Sequence, residues 1–160
     1  MEGVIKCNVD ASFSKDAMIV GGGVVFRDSY GDIVWVVVFK PFPSSSTLVA
    51  KTFCFQKAIC WAQEFNFLAM LFELDAKIVL DVLSGLYAFP IKIASLTYDI
   101  SLMLNSFPRY SVSYIRWDEN RVAHFLAFMS NGALGADWIL SYYPPELLRL
   151  MELDRIAAGC

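Results

Sequence analysis

Three β-type segments follow one another between Ile5 and Phe39, joined by connections too short to hold a helix. That run restricts the chain to folds that begin with an antiparallel meander. In the first segment, Ile5 to Ser12, the residues Ile5, Cys7 and Val9 alternate with Lys6, Asn8 and Asp10, so the two sets face opposite sides of a strand. The second, Met18 to Phe26, contains Gly21-Gly22-Gly23. Glycines inside a strand mark a bulge or a place where another backbone or a ligand comes close. The turn Ser29-Tyr30-Gly31-Asp32 leads into the third, Ile33 to Phe39, whose β-branched and aromatic residues favour an extended chain.

Beyond the meander, helical and extended patterns alternate. Pro41 to Ser46 reads as a loop, and Ser46 or Thr47 suits the cap of a helix that runs to about Gln63 and is ended by Asn66. Leu68 to Leu74 is a short buried strand with Asp75 at its C-terminal end, and Ala76 to Leu83 is a helix halted by Ser84-Gly85. Leu96, Ile100 and Leu104 mark another helix, and Ser111 to Ile115 a fifth strand. Asn120 is placed to cap a helix carrying Val122, Phe125, Leu126 and Met129. The order β-β-β-α-β-α-α-β-α predicts an α/β (α+β) mixed sheet with helices on both faces. One domain is expected over residues 1–160, with a core at about 4–131 and an extension at about 132–160, in which Leu147, Leu148 and Met151 suit a short docking helix.

Composition agrees with a sheet covered on both sides: 57% of residues are hydrophobic and 18% charged. No charge-free apolar run approaches the ~18 residues of a membrane-spanning helix, so no membrane contact is expected. Met1-Glu2-Gly3 lacks the layout of a secretory leader. Cys7, Cys54, Cys60 and Cys160 are scattered without metal-finger spacing. They read as buried thiols in a reducing, intracellular setting, nuclear or cytoplasmic. The net charge of −3 gives no global basic field, which leaves a local groove as the route to any nucleic acid.

Hydrolysis of a phosphodiester by two divalent ions needs carboxylates converging on metals ~4 Å apart. Asp10, on the strand face turned from the core, and Asp75, at the tip of the fourth strand, would meet if those strands are neighbours. Standing alone, an aspartate at a strand end is more often a solvated turn residue.

Four segments shift that balance. Asn8-Val9-Asp10-Ala11-Ser12, with Gly22-Gly23 running into Val24-Val25-Phe26-Arg27-Asp28-Ser29-Tyr30-Gly31, resembles the opening of the ribonuclease H-like family, above all its plant branch related to retroelement reverse transcriptases. Glu73-Leu74-Asp75 followed by Ile78-Val79 is similar to that family's second carboxylate strand and the helix after it. Arg116 to Ala127 (RWDENRVAHFLA) resembles its last motif, and Trp138 to Pro144 the tail of that branch. The resemblance implies a five-stranded mixed sheet, metal-dependent cleavage of the RNA strand of RNA–DNA hybrids, and four metal-site acids. Asp10 and Asp75 match two of these, as catalytic and metal-binding residues; Lys51 and His124 stand at the other two positions. Mg²⁺ or Mn²⁺ is the implied cofactor, with weakened binding, and Ser12, Arg116 and Asn120 are implied contacts to nucleic acid. For Arg116 and Asn120, capping and helix packing are equally good readings. Glu73 reads as a support for the site or a surface acid, and Asp28 as part of its turn.

The departures have physical consequences. A lysine in place of a glutamate reverses the local charge, and its ammonium can neutralise Asp10 and Asp75 directly. At roughly 4 Å and an effective dielectric of 20, each such contact involves on the order of 4 kcal/mol before solvation costs. His124 is a poor ligand for Mg²⁺, although with two aspartates it could serve a softer ion such as Zn²⁺ or Mn²⁺. The expectation is therefore a ribonuclease H-like domain whose hydrolysis is weak or lost. The alternatives are a non-catalytic nucleic-acid-binding module, or an interaction scaffold that meets a protein partner through Pro145 to Met151.

Overall fold

A computed structural model describes residues 3–86, 90–130 and 135–157. The alternation read in the first segment is realised as burial. β1 (Ile5–Ser14) turns Cys7, Val9 and Ala11 into one core, while Asn8 and Asp10 lie on its opposite face. β2 (Ile19–Arg27) and β3 (Ile33–Pro43) complete the meander, β1 pairing with β2 and β2 with β3, both antiparallel. Asp28 holds the turn between β2 and β3: its Oδ1 accepts from the N–H groups of Tyr30 at 2.9 Å and Asp32 at 3.0 Å. α1 (Thr47–Glu64) then crosses to β4 (Ala69–Leu74), which runs parallel to β1. After α2 (Lys77–Leu83) and α3 (Ala94–Leu104), β5 (Arg109–Tyr114) adds in parallel beside β4. α4 (Arg121–Met129) and α5 (Pro145–Ala157) flank a two-residue β6 (Trp138–Ile139), giving a six-stranded mixed sheet in the order β5-β4-β1-β2-β3-β6.

The helices divide between the faces. Ala50, Cys54, Phe55, Ala58, Ile59 and Ala62 recur at helical spacing along α1 and pack on Val9, Val24, Phe39 and Phe72. On the other face Val122 and Leu126 of α4 join Val25, Val36 and Val38, and Leu147 and Met151 of α5 close this second core. The two adjacent glycines explain how both helices come so close. A Cβ at Gly22 would stand 2.5 Å from Cys54 Sγ of α1, and one at Gly23 would collide with Leu126 of α4. The expectation of a close backbone approach at Gly21-Gly22-Gly23 thus holds on both sides of the sheet, and a register shift between Val20 and Gly22 adds the irregularity.

Several sequence expectations need correction. The expected loop from Pro41 is strand as far as Pro43, because β6 covers only Val37 and Val38. The rest of β3 is therefore an open edge, where a proline removes no ladder bond. The five-stranded expectation missed β6. Ser46 does cap α1, its hydroxyl accepting from Val49 N–H at 3.2 Å, and Asn66 takes the left-handed conformation (φ 56°) just past the end of α1. Cys60 is exposed, unlike Cys7 and Cys54, and Cys160 lies outside the described residues. Among the described residues no helix is long and apolar enough to cross a membrane.

Candidate functional site

The parallel register that pairs Val9 with Leu74 sets the next residue of each strand side by side, and these are Asp10 and Asp75. α1 starts beside this end of the sheet and brings in Lys51, whose Nζ lies 2.7 Å from Asp75 Oδ1 and 3.4 Å from Asp10 Oδ1. From the opposite face α4 brings His124, with Nδ1 2.8 Å from Asp10 Oδ2. A carboxylate only accepts, so the ring N–H donates there. The backbone N–H of Ala11 donates to Asp10 Oδ1 at 2.8 Å. All four residues singled out in the sequence therefore meet in one cluster, which ties together β1, β4, α1 and α4.

Exposure falls steeply across the cluster, from 63% for the His124 side chain to 23% for Lys51, 9% for Asp75 and 2% for Asp10. Burial drives the Asp10 carboxyl above its ordinary range, and repulsion from Asp75 adds to this. Lys51, His124 and the Ala11 N–H pull the other way without cancelling it. For Lys51 burial acts to lower the pKa, but the attraction of Asp10 and Asp75 outweighs it and the ammonium is held above its ordinary value. Lys51 is thus a firmly charged cation wedged between two acids.

Two magnesium ions do not fit these residues. The ammonium already occupies the position from which a cation would bridge the two carboxylates. The space enclosed by Val9, Asp10, Lys51, Leu74 and Asp75 amounts to about 10 Å³. That matches the ~10–15 Å³ that one water needs, whereas bound magnesium usually keeps several waters. Among the described residues no group of three or more His, Cys, Asp and Glu side chains is arranged to hold a metal, so the single-ion alternative with His124 gains no support either.

The remaining candidates lie around the cluster in different roles. Asn120 is buried, and its Nδ2 donates to Val9 O at 3.0 Å, tying the start of α4 to β1 next to Asp10. It caps α4 through its backbone carbonyl, which accepts from His124 N–H, and not through its side chain. The burial that makes it a tie also keeps it from reaching a nucleic acid. Arg116 is exposed and pairs with Asp118 at 3.0 Å. Ser12, half-buried, pairs with Gly21 across β1 and β2. Glu73 turns away from the cluster: it accepts from Asn8 Nδ2 at 2.7 Å and lies 3.6 Å from Lys6.

Two features escaped the sequence reading. Asp137 accepts from three donors on two elements: Lys57 Nζ at 2.7 Å and Trp61 Nε1 at 3.0 Å, both of α1, and the Lys40 N–H of β3 at 2.7 Å. Burial would raise its carboxyl, but these donors together hold it below the ordinary carboxylate range. The other is an exposed row of Trp117, Arg121, His124 and Phe128, whose helical spacing was the available signal.

Comparison with known proteins agrees with this frame. Residues 8–130 match the sequence model of a family described as reverse transcriptase-like. Among solved structures, RNase H1 from Halobacterium salinarum is similar with a TM-score of 0.75 at 18% identity, over 80% of this chain and 97% of that one. The N-terminal RNase H domain of a Mycobacterium tuberculosis protein gives 0.72 at 15% identity, over 79% and 92% of the two chains. LC11-RNase H1, solved in complex with an RNA/DNA hybrid, gives 0.67 at 16% identity, over 79% and 94%. No curated protein matches the chain.

Proposed function

The chain belongs to the reverse transcriptase-like family of ribonuclease H-like domains, and from that premise we propose that it binds nucleic acid, RNA–DNA hybrid above all, and cleaves it weakly or not at all. The observation that carries this reading is the Lys51 ammonium seated between Asp10 and Asp75. It neutralises the two acids from within and fills the space that metal-assisted hydrolysis requires. His124, at the fourth position, satisfies the outer oxygen of Asp10 instead of adding a negative charge. Binding is separable from cleavage, because phosphate contacts need donors and cations and do not need the metal pair. The relative solved with a hybrid, aligned over 79% of this chain, supports hybrid as the first ligand to try. We read residues 1–160 as one domain, since α5 packs on α4 and completes the second core. That packing spends Leu147 and Met151 inside the molecule and leaves Leu148 exposed, which narrows the basis for a protein partner at Pro145 to Met151.

Labelled RNA–DNA hybrid incubated with the protein in Mg²⁺, then in Mn²⁺, tests both halves. Cleavage should stay at the level of the Asp10→Asn variant. Hybrid affinity should persist in EDTA and fall steeply with added salt. Metal-dependent cleavage that disappears in Asp10→Asn overturns the non-catalytic half, and absence of binding at low salt overturns the nucleic-acid half.

A further inference from the structure

The outer face of α4 combines two chemistries that rarely share a surface by accident. Arg121, His124 and Phe128 follow at intervals of three and four residues and so fall on one side of the helix, and Trp117 joins them from the short 3-10 turn Trp117–Glu119 that precedes α4. Trp117 is 70% exposed and Phe128 68%. Together with Phe125 and Leu150 these residues line an open groove of about 260 Å³. Among its lining residues only Arg121 and His124 are ionisable, and no carboxylate lines it. The Asp118 carbonyl accepts from Arg121 Nε at 2.8 Å, which orients the guanidinium. Arg121 also borders a neighbouring cavity lined by Asp118, Glu119 and Asp154, and its charge acts on Asp154.

We propose that this groove is a stacking platform for the bases of a single-stranded nucleic acid, with Arg121 meeting the phosphates between them. Flat π-faces beside a guanidinium suit a ligand built of aromatic bases joined by anionic links. An apolar protein segment would gain nothing from a guanidinium placed between the rings. The lining also supplies positive charge where the whole chain is acidic, so attraction for a polyanion is local to the groove. His124 connects the platform to the cluster, because the ring that lines the groove is the one hydrogen-bonded to Asp10. A strand stacked on Trp117 and Phe128 therefore passes beside Asp10 and Asp75. The inference rests on the nucleic-acid reading above and specifies which form of nucleic acid this side of the site takes.

Anisotropy titration of labelled oligo-dT and oligo-rU of about eight nucleotides, beside the RNA–DNA hybrid, provides the test. The Trp117→Leu, Phe128→Leu double variant should weaken single-strand binding about tenfold or more, while circular dichroism and thermal midpoint stay unchanged because both side chains are exposed. Trp117→Phe, which keeps a π-face, should retain most of the affinity. Single-strand affinity untouched by the double leucine variant overturns the platform. So does a loss that Trp117→Phe shows equally, since a retained π-face would then fail to retain the strand. If hybrid still binds in either case, the function proposed above stands without the platform; if neither hybrid nor single strands bind, both readings fall.

Discussion

Lys51 is held in the structure by both acids, its ammonium lying between Asp10 and Asp75. Lys51→Met keeps the bulk of the side-chain stem and removes the ammonium from Asp10 and Asp75. Asp10 is then left buried beside a second acid without its counter-ion, which drives its carboxyl further above the ordinary range. Breaking a buried pair in this way costs about 3–5 kcal/mol, which a urea midpoint should report, and Asp10→Asn in the same background should recover part of it. The pH dependence follows from the raised Lys51 pKa. Its stabilisation is complete below the ordinary value of 10.5 and is lost as pH rises through the higher folded value. Wild-type protein should therefore lose stability in that alkaline window, and Lys51→Met should lose less, the remainder coming from the buried Cys7 and Cys54 thiols, whose pKa values burial raises. Asp10, Asp75, Lys51 and His124 were all legible as a set, because each occupies a fixed place in a motif. Asn120 was legible as a cap or a helix-packing residue, but its partner was not. Its amide reaches back to Val9, a contact across 111 positions that no local spacing encodes. Asp137 was illegible for the same reason, since its donors come from α1 and β3.

At the level of elements, the geometry of the cluster depends on how closely α1 and α4 approach the sheet, and that distance is set at Gly22 and Gly23. Gly23→Ala places a methyl against Leu126 Cβ and 3.1 Å from the Leu126 carbonyl carbon, so helix backbone has to move and not merely a flexible side-chain end. Overpacking of this kind costs typically about 1–3 kcal/mol. The displaced α4 also carries His124 away from Asp10. A lowered thermal midpoint together with a changed His124 ring signal in NMR is the expected outcome; an unshifted ring signal would separate the glycine from the site. The meander and the α1 pattern could be read because periods of two and of three to four are properties of the chain itself. The run of strand through Pro41 to Pro43 could not, since whether a proline breaks a ladder depends on whether a neighbouring strand is present. β6 is absent there, and that follows from where residues 138–139 dock.

At the scale of the whole molecule, the fold is that of the similar structures, and we propose that its frame for four metal-site acids is kept while the residues it carries have changed. The strand order, the parallel β1–β4 register and the placement of α1 and α4 bring positions 10, 51, 75 and 124 together despite identities of only 15–18% to the similar structures. If the frame is intact, the chemistry should be recoverable by changing the residues alone. Lys51→Glu with His124→Asp would replace the internal cation by two carboxylates converging on Asp10 and Asp75. Four acids without a countercharge repel one another, so the double variant should be less stable than wild type in EDTA and regain stability as Mg²⁺ is added. Calorimetry should show Mg²⁺ binding in the double variant and none in the wild type, and hybrid cleavage should rise above the Asp10→Asn background. Each single change leaves a mismatched site: Lys51→Glu alone keeps His124 on Asp10, and His124→Asp alone keeps the ammonium. Neither should restore cleavage, which makes the pair strongly non-additive. A folded double variant that neither binds Mg²⁺ nor cleaves hybrid would show that the loss extends beyond these two positions, and the assignment of the site to Asp10 and Asp75 would have to be abandoned.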